Sequence, residues 1–474
     1  MINGRRPDAV PRHRLALTVL AFALGCGPRA APGQTLPELL EHPPMSDEEP
    51  AATPGRARSA AAGLATPASP SGATDTAAEA GVATPIFDPS QAALAAFHGA
   101  LARTAAGHGQ ARIAFYGASH TAADLWTGHV RRRLQSRYGD AGHGFLLPVV
   151  WHGGYRHQDI VMKASTDWQI ARHKLLDPLP VGDFGYAGVT ASSSNSSQWM
   201  LVRTTADNPH GRRADTFEVW YRSERQGGTL QLIIDGTPHA ISTRGSAVGF
   251  HAKRFALDDG GHEIRLAPAG DGRVTLYGVV VERSAPGVIL DQLGIPGMRG
   301  RILLSWRQDR WRAQVARRNP QLVVLAYGTN AAGDHNEPAW RFRRTWRNVI
   351  ERVRAATPAA SCLIIGPTDR PLLPDDGGIR AHRPHLDRVI AVQKEVAAEM
   401  GCGYWDAFAA MGAVGSMNRW VQAGLAASDH VHLTRTGYER LADLLVDAML
   451  AGCEGCEPTS NPAVSRPAMP TPRD

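Results

Sequence analysis

Apolar and polar positions follow two different rhythms along this chain. Arg112-Ile-Ala-Phe-Tyr-Gly117 is a short apolar run closed by glycine, which suits a buried strand. Helical spacing follows from Thr121 to Arg137, and Thr121-Ala-Ala-Asp124 reads as a capping box for one continuous helix. The same rhythm returns much later. Leu322-Val-Val-Leu-Ala-Tyr327, Leu363-Ile-Ile-Gly366 and Gly403-Tyr-Trp-Asp406 are strand-like, and residues 340–355, 383–400 and 436–450 have helical spacing. Strand-helix alternation predicts an α/β fold, a parallel sheet with helices on both faces.

Between residues 154 and 284 the period shortens to two. Phe217-Glu-Val-Trp-Tyr221, Leu230-Gln-Leu-Ile-Ile234, His262-Glu-Ile-Arg-Leu266 and Val274-Thr-Leu-Tyr-Gly-Val-Val-Val281 are strands, with turns at Asp235-Gly236, Asp259-Gly260 and Asp271-Gly272. This stretch predicts an antiparallel β-sandwich inserted into the α/β domain. Trp199, Trp220 and Tyr221 fit its core better than a sugar-stacking surface. His152, His157 and His173 lie among Trp151, Tyr155 and Trp168 in a loop-rich stretch; without ligand spacing they suit surface or sugar-stacking roles rather than a metal site.

The first 26 residues add a destination. Arg5, Arg6, Arg12 and Arg14 precede an apolar run from Leu15 to Leu24, which describes a secretory signal. Ala23-Leu24-Gly25-Cys26 resembles the lipobox of bacterial lipoproteins, so Cys26 is a candidate for acylation. Residues 27–85 are rich in Pro and Ala, and 28–85 contain no Phe, Trp or Tyr, too little apolar surface to offset ordering entropy, so this stretch predicts a disordered tether. Residues 457–474 read as a second disordered tail. The expected location is the periplasm or cell envelope, with membrane contact only through a lipid on Cys26. Four further cysteines fit an oxidising compartment. Cys362 and Cys402 each open a strand-like run and suit a bridge, and Cys453-Glu-Gly-Cys456 suits a minor one.

Bulk composition narrows the classes. Of 474 residues, 43% are hydrophobic and 20% charged, as in an ordinary globular protein. No apolar run approaches the ~20 residues of a membrane-spanning helix. The net charge of +7 is dispersed arginine, which is no nucleic-acid footprint.

Four blocks carry candidate chemistry. Gly117-Ala-Ser119-His120 closes the first strand and puts a serine where backbone N–H groups favour developing negative charge. Gly294-Ile-Pro-Gly297 follows the run Val288 to Leu293, and Gly297 permits close approach of a backbone N–H. Asn330 follows Tyr327-Gly-Thr at a strand's C-terminal end, where open α/β sheets bind ligands. Asp429-His430-Val431-His432 precedes the last helix; its spacing lets Asp429 orient His432, with His430 as the second choice. Asp369, after a strand end, reads equally as a cleft residue or a cap.

Taken in order, these blocks resemble the SGNH (GDSL-type) hydrolase superfamily. The resemblance implies Ser119 as nucleophile, His432 as general base, Asp429 as its orienting partner, and Ser119, Gly297 and Asn330 as the oxyanion hole. It implies no cofactor and no metal. The family's aspartate before the serine is replaced by Ala118. Gly117-Ala-Ser-His-Thr-Ala-Ala-Asp124, Tyr138-Gly-Asp-Ala-Gly-His-Gly-Phe145 and Gly415-Ser-Met417 further resemble bacterial peptidoglycan O-acetylesterases with an inserted carbohydrate-binding-like module. The expected organisation is an SGNH domain over 86–153 and 285–456, interrupted by a sandwich at 154–284. The expected function is removal of O-acetyl groups from a glycan, above all the C6 O-acetyl of N-acetylmuramic acid. Its alternatives are a polysaccharide O-acetyltransferase and a catalytically impaired glycan-binding protein.

Overall fold

The computed structural model describes residues 81–173, 181–206, 209–372 and 382–458. The export signal with Cys26, the tether up to residue 80 and the tail after residue 458 lie outside the described residues. Residues 81–85 already bind the folded body, which starts a little before the expected boundary. The Val82 N–H donates to Ala410 O at 2.7 Å and Trp405 Nε1 donates to Thr84 O at 3.0 Å.

Five parallel strands form the central sheet, in the order Gly287–Gly294, Gln110–Gly117, Leu322–Ala326, Ser361–Ile365 and Gly403–Trp405. Alternate side chains of each strand enter different clusters, as the pleat requires. Ile113, Phe115, Leu290 and Val324 pack with Trp126, Val130 and Leu134 of the helix Leu125–Tyr138 and with Leu441 and Leu445 of Arg435–Leu450. Ala114, Tyr116, Val323 and Leu325 pack with Trp311, Trp346, Ile350 and Val396 of the helices Gln308–Arg318, Ala339–Ala356 and Pro384–Glu399. A disulfide between Cys362 and Cys402, with Cα atoms 4.7 Å apart and 40 residues of separation, ties the last two strands. Closing a loop of that length restricts the unfolded chain by on the order of 4 kcal/mol in the chain-entropy treatment. Cys453 and Cys456 are bridged as well.

The continuous helix expected from residue 121 is instead two helices, Ser119–Ala122 and Leu125–Tyr138, broken at Asp124 with φ 52°. No capping box forms. The buried Asp124 carboxylate accepts from Thr127 Oγ1 and the Gln158 N–H, each at 2.6 Å, and from Arg131 Nη2 at 2.9 Å. That inward pull on one side chain ends the first helix and leaves Ser119 opening a helix of its own.

The β-rich stretch forms two antiparallel sheets. One has strands Gly249–Gly260, Ala214–Ser223, Val274–Glu282, Val189–Ser193 and Gln169–Arg172, with Gly142–Leu146 also paired to Val274–Glu282. The other runs Ile160–Ala164, Met200–Thr204, Glu263–Pro268, Thr229–Ile234 and Thr237–Ser242. Leu146, Phe217 and Val279 of the first share a buried cluster with Val202, Leu232 and Ile264 of the second. Phe145, Trp220, Tyr277 and Val280 face the other way, into the cluster of Trp306 and Trp311. The six-stranded sheet is therefore buried on both faces, which explains why Val274–Glu282 reads as a continuous apolar run.

Two local expectations are corrected. Asp259 and Gly260 end a strand, after a register shift beyond Ala256, instead of forming a turn. His157, His173, Tyr155 and Trp168 are buried and offer no sugar-stacking surface. Trp220 is fully buried in the core, as expected.

Candidate active site

Strand register brings three of the four blocks together. Gly117 pairs with Gly294 on one side and Ala326 on the other, so these three strands end level with one another. Ser119, Gly297 and Asn330 follow within two, three and four residues of those ends. The C-terminal edge of a parallel sheet is where such folds place ligands. Close packing permits the convergence. A Cβ on Gly294 would lie 2.3 Å from Ala122 N, so only glycine lets the serine-bearing helix sit against this strand.

The nucleophile turn is held by backbone bonds. The Ile295 N–H donates to Gly117 O at 3.0 Å, Ala122 N–H to Ala118 O at 2.9 Å, and Ala123 N–H to Ser119 O at 3.1 Å. Ala118, which stands where the SGNH pattern has aspartate, is buried in the cluster around Tyr116 and Tyr327. The turn forms without a side-chain hydrogen bond at that position.

The fourth block closes over Ser119. Asp429 Oδ1 accepts the Val431 and His432 N–H groups, each at 2.9 Å, and its Oδ2 lies 2.6 Å from His432 Nδ1. His432 Nε2 lies 2.9 Å from Ser119 Oγ. An ionised carboxylate only accepts, so Nδ1 carries the imidazole proton and Nε2 accepts from the serine hydroxyl. Burial alone would raise the Asp429 carboxyl; bonds from His432 and the two N–H groups outweigh it and hold the group well below the usual carboxylate range. His430 has left-handed backbone (φ 54°), and His432 is the histidine bonded to Ser119.

Opposite Ser119, the glycine and asparagine turns are clamped together. Asn330 Nδ2 donates to Met298 O at 3.1 Å, which leaves its second N–H available. Arg299 donates Nη1 to Gly297 O at 3.0 Å and Nε to Asp334 Oδ2 at 2.8 Å, joining the two turns by an ion pair. Among the described residues, the Ser119 and Gly297 backbone N–H groups meet no acceptor.

Sequence reasoning misses two supports. His120 Nδ1 lies 2.7 Å from Tyr438 Oη, and its ring centroid is 5.5 Å from that of His432. Burial first, and then the neighbouring His432, push the His120 imidazole down to about 3, so it packs against the base uncharged. The Arg299–Asp334 pair is the other; two charged residues 35 positions apart give no signal before the loops meet. Asp369 resolves as a cap. Its Oδ2 accepts the Met417 N–H at 3.0 Å at the start of the helix Ser416–Gln422, which accounts for the Gly415-Ser-Met417 motif structurally.

Residues 264–440 match the GDSL-like lipase/acylhydrolase family. The chain carries a GDSL-family hydrolase domain. That span holds Gly297, Asn330, Asp429 and His432; Ser119 lies upstream of it, separated in the chain by most of the two antiparallel sheets. Among solved structures, a peptidoglycan O-acetylesterase is similar at 27% identity and a TM-score of 0.64, covering 77% of this chain and 97% of that one. A family two carbohydrate esterase from Cellvibrio japonicus matches at 12% identity and a TM-score of 0.27, over 63% of this chain and 99% of that one. An acetyl xylan esterase matches at 20% identity and a TM-score of 0.27, over 34% and 80% respectively. No curated protein matches the chain.

Proposed function

We propose that this protein is a cell-envelope serine esterase that removes O-acetyl groups from peptidoglycan. The observation that carries the chemistry is the unbroken chain from Ser119 Oγ through the His432 ring to Asp429, at 2.9 and 2.6 Å. In this reading Ser119 Oγ attacks the acetyl carbonyl as its proton moves to His432 Nε2. The carbonyl oxygen becomes an oxyanion, received by the Ser119 and Gly297 N–H groups and the free N–H of Asn330. Collapse breaks the C–O bond to the sugar, and His432 returns the proton to the departing hydroxyl. A water deprotonated by His432 then cleaves acetyl-Ser119 and releases acetate. Every step uses the chain's own residues.

The substrate class is supported by similarity to a peptidoglycan O-acetylesterase that is spanned almost end to end. The basic, then apolar N-terminus with Cys26 supports an exported, lipid-anchored protein that meets its wall from the membrane side. The two antiparallel sheets around one cluster support an inserted sandwich that engages the glycan.

The test is acetate release by the full chain from O-acetylated peptidoglycan and from acetylated xylan. The reading expects release from peptidoglycan to dominate. Preference for xylan would move the substrate outside the wall, and transfer of acetyl to added sugar in place of water would make the protein a transferase. Within the site, Asn330→Ala is expected to lower kcat by about 10²–10³ with little change in KM, because its N–H meets charge that exists only in the transition state. A kcat near that of the unsubstituted protein would remove Asn330 from this role.

A further inference from the structure

The Asn330 turn carries more positive charge than the reaction uses. Arg370 Nη1 donates to Thr329 O and lies 3.5 Å from Asn330 O. Arg383, immediately before the helix Pro384–Glu399, donates Nε to Arg370 O at 3.1 Å and Nη2 to Pro371 O at 3.3 Å. Its Nη1 lies 3.3 Å from His335 Nε2, and the His335 ring centroid is 5.8 Å from that of His385. Two guanidinium groups and two imidazoles thus surround one side of the turn that holds the oxyanion donor.

Two carboxylates on this side are already paired. Asp334 pairs with Arg299, and Asp387 lies 2.7 Å from His382 Nε2. Among the described residues, neither Arg370 nor Arg383 has a carboxylate within ion-pair distance. Their bonds go to carbonyl oxygens and a ring nitrogen, which satisfy N–H groups without balancing charge. The Nε and Nη2 groups of Arg370 make no bond among the described residues. Burial, then repulsion from Arg383 and Arg299, lower the affinity of the Arg370 guanidinium for its proton. Holding desolvated cations close together is costly, and an arriving anion relieves that cost. The planar fork of a guanidinium matches a carboxylate in particular.

We propose that Arg370 and Arg383, flanked by His335, form a subsite for a carboxylate borne by the acetylated glycan, so that the acyl site favours esters of an anionic sugar over neutral ones. This deepens the esterase reading and rests on it. The carboxylate is bound and not transformed; its role is to seat the sugar with the acetyl group at Ser119.

The experiment uses the full chain and two synthetic substrates: an O-acetylated sugar with a free carboxylate, and the same sugar as its primary amide. Acetate release gives kcat/KM for each. The proposal expects the carboxylate to be favoured by about tenfold or more, as for hydrogen bonds to a charged partner. It expects Arg383→Gln to bring the ratio near one and Arg383→Lys, which keeps charge but loses the fork, to fall between. A ratio near one in the unsubstituted protein, or a preference that survives Arg383→Gln, overturns the subsite. Acetate from neither substrate would instead overturn the esterase reading. The subsite is then read by calorimetry on the Ser119→Ala protein with the two sugars lacking acetyl. Carboxylate-selective binding that Arg383→Gln abolishes supports it, and equal binding of both sugars overturns it.

Discussion

Ser119→Ala is expected to lower kcat for acetate release by about five to six orders of magnitude while leaving the fold intact. Among the described residues the Ser119 hydroxyl hydrogen-bonds to His432, and the turn around it is held by the Gly117, Ala118 and Ser119 carbonyls, which alanine retains. Removing the hydroxyl removes the atom that must bond to the acetyl carbon, and water placed by the remaining groups is a poor substitute. Losses of about 10⁶ are seen when a serine or its histidine is removed from such a unit, and the losses are not additive. His432→Ala should therefore match Ser119→Ala, and the double variant should be no worse than either. Circular dichroism and thermal unfolding check the fold, and single-turnover acetate release checks the chemistry. Turnover within tenfold of the unsubstituted protein by either variant would show that the acyl group never visits Ser119.

The parts of this molecule legible in its sequence are those set by local rules. The parallel strands announce themselves because burial on both faces demands continuous apolar runs, as in Leu322–Ala326 and Ser361–Ile365. Three of the four site blocks are legible because they sit within four residues of strand ends, where register forces convergence whatever happens between them. Features decided by distant partners are hidden. Helical spacing runs straight through Asp124, and only Arg131 and the Gln158 N–H reveal why the chain turns left-handed there. His157 looks like a surface residue until it packs 5.4 Å from His143 in the interior. Gly142–Leu146 falls outside the expected sandwich bounds, yet it pairs with Val274–Glu282, more than a hundred residues downstream. Ala118 belongs to the same class. A family pattern marks it as a missing hydrogen bond, whereas the packing around it makes it a small core residue.

Asp429→Asn, the mildest substitution in the site by shape, should be among the most damaging by chemistry. In the native arrangement Oδ1 accepts two backbone N–H groups, from Val431 and His432. An asparagine must keep its only acceptor oxygen there, because an amide NH₂ facing two N–H donors would leave all of them unsatisfied. The NH₂ is then forced into the place of Oδ2, where it faces His432 Nδ1. Facing a donor, Nδ1 gives up its proton and the ring carries it on Nε2, the nitrogen that must accept from Ser119. The base is held in the wrong tautomer, an effect of about 10⁴ in kcat in the serine-protease triad. Asp429→Ala removes the charge but leaves the ring free to choose its tautomer, so it should be no more damaging than the isosteric change. Asp429 stays ionised well below the usual carboxylate range, so mild acidification leaves its charge in place in the unsubstituted protein. In Asp429→Asn the defect is present at every pH, and raising the pH should not restore the rate. The two tautomers are read directly from the imidazole nitrogen shifts of His432 by nuclear magnetic resonance. An Asp429→Asn protein with its proton still on Nδ1 and a rate near that of the unsubstituted protein would exclude tautomer control by Asp429.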